Sequence, residues 1–212
     1  MKKKTVLITA GPTREYIDPV RYISNGSSGK MGYLLAEEAK KRGADVVLVS
    51  GPVSRKQPAG VKCINVVSAR EMFSAAKKYF SSADVFIASA AVSDYRPEKS
   101  AVKKIKKSGK SMYLKLVQNP DILNSLSKMP FRRCARRPVL VGFALETDNL
   151  IENAVWKLKR KNLDMIVANG PEAMESGTAS GAIITARGIR RFRNTSKRRL
   201  ARMILDAVPL LR

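Results

Sequence analysis

Short β-branched runs alternate with helix-length segments along almost the whole chain, and this alternation constrains the fold more than any other feature. A strand over 5–9 is followed by a helix over 30–42, where Met31, Leu34, Leu35 and Ala39 recur at helical spacing and Gly43 supplies the stop. Strands over 45–49 and 62–67 follow, then a helix to residue 80 that Ser68 caps, with Glu71 three residues on in a capping-box pattern. A strand over 85–88, a helix over 120–128, a strand over 139–143, a helix over 149–161 and a strand over 164–168 continue the pattern. The segments 182–185 and 189–193 read as a closing antiparallel hairpin, and Ser196 caps a final helix. This order predicts an α/β fold, a doubly wound, mostly parallel sheet with helices on both faces, in one domain over residues 1–212. One interruption stands out: the segments 103–107 and 111–117 flank Ser108-Gly109-Lys110 and predict a projecting β-hairpin arm.

The first strand–helix connection is long and rich in Gly, Ser and Arg. Ser24-Asn25-Gly26-Ser27-Ser28-Gly29 presents small residues at the start of the first helix. Free backbone N–H groups and the helix dipole favour an anion there. Two familiar phosphate loops are excluded. Gly26-Ser27-Ser28-Gly29-Lys30 is too short for a P-loop, and Met31 stands where that motif needs a hydroxyl. The dinucleotide fingerprint fails as well, because Gly11 is followed by Pro12-Thr13-Arg14 and the next glycine is Gly26. A loop of this length inside a compact domain is usually functional, the alternative being a solvated connection.

The ends of the parallel strands deliver Gly11, Ala90-Ala91-Val92-Ser93-Asp94, Phe143-Ala144-Leu145-Glu146 and Asn169 to one edge, where ligands of such sheets bind. Composition limits the chemistry available there. With 41 Lys and Arg against 17 Asp and Glu, the net charge is +24, which calls for anionic partners: phosphorylated small molecules or nucleic acid. Histidine is absent, so the commonest general base and metal ligand are missing. Cys63 and Cys134 have neither metal-ligand spacing nor a disulfide framework, which fits a reducing compartment. Lys2-Lys3-Lys4 precedes too short an apolar run for a signal peptide or membrane span, so a soluble, cytoplasmic protein is expected.

Several residues are candidates. Arg21 and Asn25, four apart in the phosphate loop, would hold a carboxylate or developing oxyanion, or else stabilise the loop itself. Ala91 ends a strand without bulk, which would let a ligand approach backbone amides, or would simply allow close packing of small residues. Asp94 offers a carboxylate at a strand end, or else shapes a turn. Lys103, Lys104, Lys106 and Lys107 flank Ile105, so two lysines share one face of the arm and would close over a triphosphate, or merely guard a sheet edge. Lys157 and Lys161 share a helix face and would converge on one anion, unless they form a solvated basic face.

These segments together resemble phosphopantothenoylcysteine synthetase of the bacterial CTP-using type, the ligase of coenzyme A biosynthesis. The resemblance covers nearly the whole chain and rests on LITAGPTREYIDPVRYISNGSSGKMG, VSGPV, ASAAVSDYRP, KKIKK, NPDIL, VGFALET and KRKNLDMIVAN, in that order. It implies a Rossmann-like fold and a two-step ligation. The carboxylate of 4'-phosphopantothenate attacks the α-phosphate of CTP and releases pyrophosphate, and the cysteine amine then displaces CMP from the acyl-cytidylate. By the same likeness Lys104 assists formation of the intermediate, and Arg21, Asn25 and Ala91 hold it. Asp94, Lys104, the Asn119-Pro120-Asp121-Ile122 turn, Phe143, Lys157 and Lys161 correspond to CTP-binding positions, and Gly26, Ser27, Ser28 and Gly29 form the phosphate loop. The resemblance also implies Mg²⁺ with the nucleotide, no metal-binding side chains, a homodimer, and a flavin-dependent decarboxylase as a fused half or a separate partner. Because the sequence starts at the synthetase, a stand-alone enzyme or a separated domain is expected.

Some features fall outside that pattern. The basic clusters Arg132-Arg133 with Arg136-Arg137, and Arg190, Arg191, Arg193, Lys197, Arg198 and Arg199, have no role in this chemistry, and the connection over 170–181 is irregular. A nucleic-acid-binding protein is the rival reading that the charge suggests, but it gives no reason for the strand-end motifs. A nicotinamide reductase is disfavoured by the missing glycine fingerprint.

Overall fold

The computed structural model describes residues 3–107, 109–130, 137–173 and 176–211. Eight strands form the central sheet. From one edge to the other they are β12 (Gly188–Ser196), β11 (Thr178–Thr185), β10 (Met165–Asn169), β9 (Val139–Leu145), β6 (Val85–Ala88), β1 (Thr5–Ala10), β4 (Asp45–Ser50) and β5 (Lys62–Asn65). The six strands from β10 to β5 run parallel, and β11 and β12 close one edge as an antiparallel hairpin. The expected α/β, doubly wound sheet is therefore present.

Alternation of side chains along the strands builds two cores. Val6, Ile8 and Ala10 of β1 point to the face covered by α1 (Lys30–Lys41) and α5 (Lys197–Ala207), where Leu35, Leu200 and Ile204 are fully or almost fully buried. Leu7 points the other way, toward α2 (Ala69–Phe80), α3 (Ile122–Ser127) and α4 (Leu150–Arg160), with Met72, Phe80 and Leu126. Fully burying one such side chain contributes about 1.5–3 kcal/mol. The strands that meet at the site are thus held from both sides. Cys63 lies half-buried on β5, where burial pushes its thiol pKa up. None of the described helices is long and apolar enough to cross a membrane.

Local signals account for the helix starts. The Ser68 hydroxyl accepts from the Glu71 amide, and the Glu71 carboxylate accepts from the Val67 amide at 2.9 Å, one residue earlier than the usual reciprocal cap. Asp121 caps α3 through the Asn124 amide, and Ser196 caps α5 through the Arg199 amide.

Two expectations need correction. No strand forms over 103–107 or 111–115; the arm stands instead on a ribbon of β7 (Tyr95–Pro97) and β8 (Leu116–Gln118), paired antiparallel with Tyr95 opposite Gln118. The run of lysines lacks an apolar face to bury, and its backbone is held from the side: the Ile105 amide donates to Asp18. Ser108 of the expected turn lies outside the described residues. The second correction concerns the phosphate loop, which contains its own antiparallel pair, β2 (Arg14–Tyr16) with β3 (Tyr22–Ser24). The buried Glu15 on β2 accepts from the Ala69 amide at 2.9 Å, so the pair is pinned to the positive end of α2.

Candidate active site

The cleft forms at the carboxyl ends of β1, β6, β9 and β10. It encloses about 180 Å³ and is lined by Ser27, Ser28 and Gly29, by Ser89, Ala90 and Ala91, and by Phe143, Leu145 and Asn169. Segments far apart in sequence therefore meet where the alternation predicted, and Gly26 lies on the other side of the loop with Arg14, Tyr22 and Asn25.

Backbone geometry explains the loop. Gly11 (φ 73°) and Gly29 (φ 69°) both adopt left-handed conformations, and a side chain on Gly29 would come within 3.3 Å of the Gly11 backbone. Only glycines let the loop settle on the end of β1. No side chain caps α1 and its first turn holds no acidic residue, so its leading N–H groups and dipole are available to an anion in the cleft.

The loop and the second strand end are joined through Ala91. Asn25 Nδ2 donates to the Ala91 carbonyl at 3.0 Å, and the Thr13 amide reaches the same oxygen at 3.3 Å. The Ala91 amide donates to Gly11 at 2.9 Å, so it is not the open donor that the sequence suggested; Ala91 supplies a small wall and a fixed carbonyl.

Arg21 is held away from the cleft lining. Its guanidinium bonds the Asp18 carboxylate and, at 2.8 Å, the Ile105 carbonyl. Asp18 also accepts from the amides of Val20, Arg21 and Ile105. Burial alone would raise its pKa, but these backbone donors and Arg21 hold the carboxyl well below the usual carboxylate range. Asp18 thus ties the phosphate loop to the root of the arm. Lys104, next to this tether, is exposed and has no ion pair among the described residues.

The remaining candidates lie at the margin. Asp94 is exposed, and its carbonyl accepts from the Asn119 amide at 2.7 Å. Asn119 is buried, with its amide on the Ser93 carbonyl, and the Ile122 side chain is in the core, so these two fix the turn rather than offer side chains to a ligand. Pro120 lies between them, half-buried. Lys157 pairs with Glu146, and Lys161 pairs with Asp121 at 2.8 Å, so the two lysines engage separate carboxylates and do not converge.

Two residues in the cleft were missed or misassigned. Lys30 lines it beside the loop, and Lys197, grouped by sequence with the surface basic cluster, is only 6% exposed and lines it as well. The signal for Lys197 was its place directly after the capping Ser196, which puts it in the first turn of α5. Arg132, Arg133, Cys134 and Arg136 lie outside the described residues. Tyr95 and Lys99 carry the four-residue spacing of a reductase pair, but Tyr95 is on a strand and Lys99 in the loop beyond it, not on one helix face.

Among the described residues no group of three or more acidic, His or Cys side chains could cage a metal ion. The lining offers neutral hydroxyls, an amide and two ammonium groups, a donor set that fits a divalent ion carried by phosphate oxygens and water.

Comparison with known proteins is consistent with this arrangement. The coenzyme A biosynthesis bifunctional protein CoaBC of Haemophilus influenzae is 53% identical over 164 residues, which are 77% of this chain and 40% of the relative. The corresponding protein of Escherichia coli is 49% identical over 172 residues, 80% of this chain and 41% of the relative. The chain spans about two fifths of the length of these curated relatives. The crystal structure of the C-terminal domain of a CoaBC protein superposes with a TM-score of 0.82 at 38% identity, covering 98% of this chain and 95% of that one. Residues 1–210 match the family described as the DNA/pantothenate metabolism flavoprotein C-terminal domain, and the chain belongs to that family.

Proposed function

We propose that this chain is the CTP-using ligase that joins 4'-phosphopantothenate to cysteine, acting in the cytoplasm in coenzyme A biosynthesis. The observation that carries the reading is the Asn25–Ala91 contact, which ties the phosphate loop to the wall of a cleft lined by the uncapped start of α1 and by Phe143. It sets an amide and a fixed carbonyl at the border of an anion-binding helix end, as an acyl phosphate intermediate requires.

In the first step the phosphopantothenate carboxylate attacks the α-phosphorus, a P–O bond forms, and pyrophosphate leaves. Lys104, exposed on the arm, closes over the nucleotide and balances charge that accumulates on its phosphates. The Ser27–Gly29 loop and the α1 N-terminus hold the anion. In the second step the cysteine amine attacks the acyl carbon, CMP leaves with the bonding pair, and the nitrogen proton passes to solvent. Asn25, oriented by Ala91, holds the intermediate for that attack, and Arg21 keeps loop and arm in register through Asp18. Mg²⁺, where bound to the nucleotide, offsets phosphate charge. Both substrates are anions, so positioning and charge neutralisation dominate and a histidine is dispensable. A homodimer and a flavin-dependent decarboxylase partner complete the proposed assembly, and CoaBC relatives are described as bifunctional.

The test incubates the chain with 4'-phosphopantothenate, Mg²⁺ and CTP or ATP, with and without cysteine, and follows pyrophosphate, nucleoside monophosphate and product mass. CTP-dependent pyrophosphate release with cysteine-dependent CMP release supports the reading. No turnover with either nucleotide refutes it.

A further inference from the structure

The arginines of the last strand and helix have no part in the ligation outlined above. Residues 187–212 hold eight arginines and one lysine, against Asp206 as the single acidic residue. β12 is an edge of the central sheet, and Arg190, Arg191 and Arg193 on it are exposed, as is Arg187 in the turn before it. Phe192 turns into the core, and the arginines on either side of it turn out. At about 3.4 Å per residue, Arg187 to Arg193 make a ribbon roughly 20 Å long. None of these four arginines forms an ion pair among the described residues. Asp164 and Asp206 share a depression with Arg187 and Arg190, but they are held by Arg137 and Arg42, each at 2.8 Å. On α5, Arg199 and Arg202 are exposed as well, and among the described residues Arg198 alone of that helix's exposed arginines has an ionic partner, Glu37 at 3.5 Å. Guarding a sheet edge against pairing takes a single charge, commonly a lysine. Like charges gathered along one edge repel one another, and a polyanion relieves that repulsion.

We propose that this arginine ribbon binds double-stranded nucleic acid through its phosphates. The proposal goes beyond the ligase reading and does not rest on it, because the ribbon lies outside the cleft. Gly188 pairs with Thr185, which stands beside Met165 at the start of β10, whereas the cleft lies at the other end of that strand with Asn169. Spacing and chemistry favour a duplex. Each of its strands places a phosphate about every 3.4 Å of axis, so the ribbon spans about six phosphates and meets them with four guanidinium groups, whose paired N–H donors match phosphate oxygens. No aromatic side chain is exposed among the described residues of β12 and α5, which leaves no platform on which unpaired bases could stack. Ile189 is the one exposed large apolar residue there, too little to enter a membrane surface. Contacts limited to phosphates carry no sequence information, so binding is independent of base sequence.

The test follows the fluorescence anisotropy of short labelled DNA duplexes of two unrelated sequences with the whole chain, between about 50 and 200 mM salt. Four phosphate contacts predict a slope of log affinity on log salt of about −3.6, a weakening of roughly 150-fold over that range, equal for both sequences. Arg191→Ser with Arg193→Ser reduces the steepness by about 1.8, whereas Lys77→Ala with Lys78→Ala, which removes the same charge from α2, leaves it unchanged. Turnover in both variants equals that of the unmodified chain, so failure of the ligase reading and failure of this proposal are read separately. No duplex binding at the lower salt, equal losses in the two double variants, or a turnover defect confined to the arginine variant overturns the proposal. So does a single strand bound more tightly than the duplex. Arginine-dependent binding to polyglutamate or to phosphatidylserine vesicles that exceeds binding to the duplex also overturns it, since the partner is then an acidic protein or a membrane. If the arginine double variant does not fold, Arg187→Ser in the exposed turn decides, with an expected fall in steepness of about 0.9.

Discussion

Replacing Gly32 by alanine puts a methyl group against strand β1 just where α1 starts. The new Cβ would stand 2.4 Å from the Ala10 Cβ, 2.7 Å from the Ser89 hydroxyl and 3.2 Å from the Ala10 Cα. Ordinary carbon contacts need about 3.5–4.0 Å, so the helix start or the strand end must yield by roughly 1.1–1.6 Å. Ser89 can rotate only by giving up its 2.7 Å bond to the Thr9 carbonyl, and Ala10 is fully buried in a central strand. Overpacking of this kind costs about 1–3 kcal/mol, and rigid neighbours put this site near the upper end. Alanine recovers about 1 kcal/mol of helix propensity, which leaves a net loss of about 2 kcal/mol. For a chain of 212 residues that lowers the melting temperature by about 4–8 °C. The functional effect is larger, since a displacement of about 1 Å in a positioned loop lowers turnover roughly 100-fold. Thermal unfolding and CTP-dependent pyrophosphate release measure both. Gly26→Ala is the control for melting temperature alone, because nothing lies within 4 Å of a side chain there. A Gly32→Ala protein with unchanged melting temperature and unchanged turnover would refute the packing argument.

Three further outcomes are expected. Lys104→Ala blocks pyrophosphate release, whereas Asn25→Ala permits it and stalls amide formation; normal product from both variants contradicts the assigned roles. Asp18 has a depressed pKa in the folded chain, so its contribution is complete above the ordinary carboxylate value near 3.8 and is lost as pH falls from there through the folded value. Asp18→Asn should therefore destabilise the protein at neutral pH and flatten the acid limb of its stability curve, and an acid limb as steep as that of the unmodified chain contradicts this. Ser68→Ala removes the α2 cap at a cost of about 1 kcal/mol, read as a shift in urea midpoint without a change in slope.

Apolar periodicity located every strand of the parallel sheet, because burial on both faces demands β-branched runs, and the five α-helices among the described residues were located through stripes, caps and, for α3, a proline start. It also brought Gly11, Ala91, Phe143 and Asn169 to one edge, since the ends of parallel strands share a side of the sheet. The short strands β2, β3, β7 and β8 escaped. Each has three residues, too few to show a period, and they are held by long-range bonds such as Asp18 to Ile105 and Glu15 to Ala69.

The sequence by itself therefore determined the layered α/β architecture, the phosphate loop and the strand ends that surround it, because these follow from local patterns and parallel connectivity. Tertiary structure alone decided which charges act where. It tied Arg21 to Asp18, gave Lys157 and Lys161 separate carboxylates, and turned Lys197 from a surface cluster into the cleft. The direction and burial of a charged side chain depend on what other segments place beside it, and residue spacing carries no record of that.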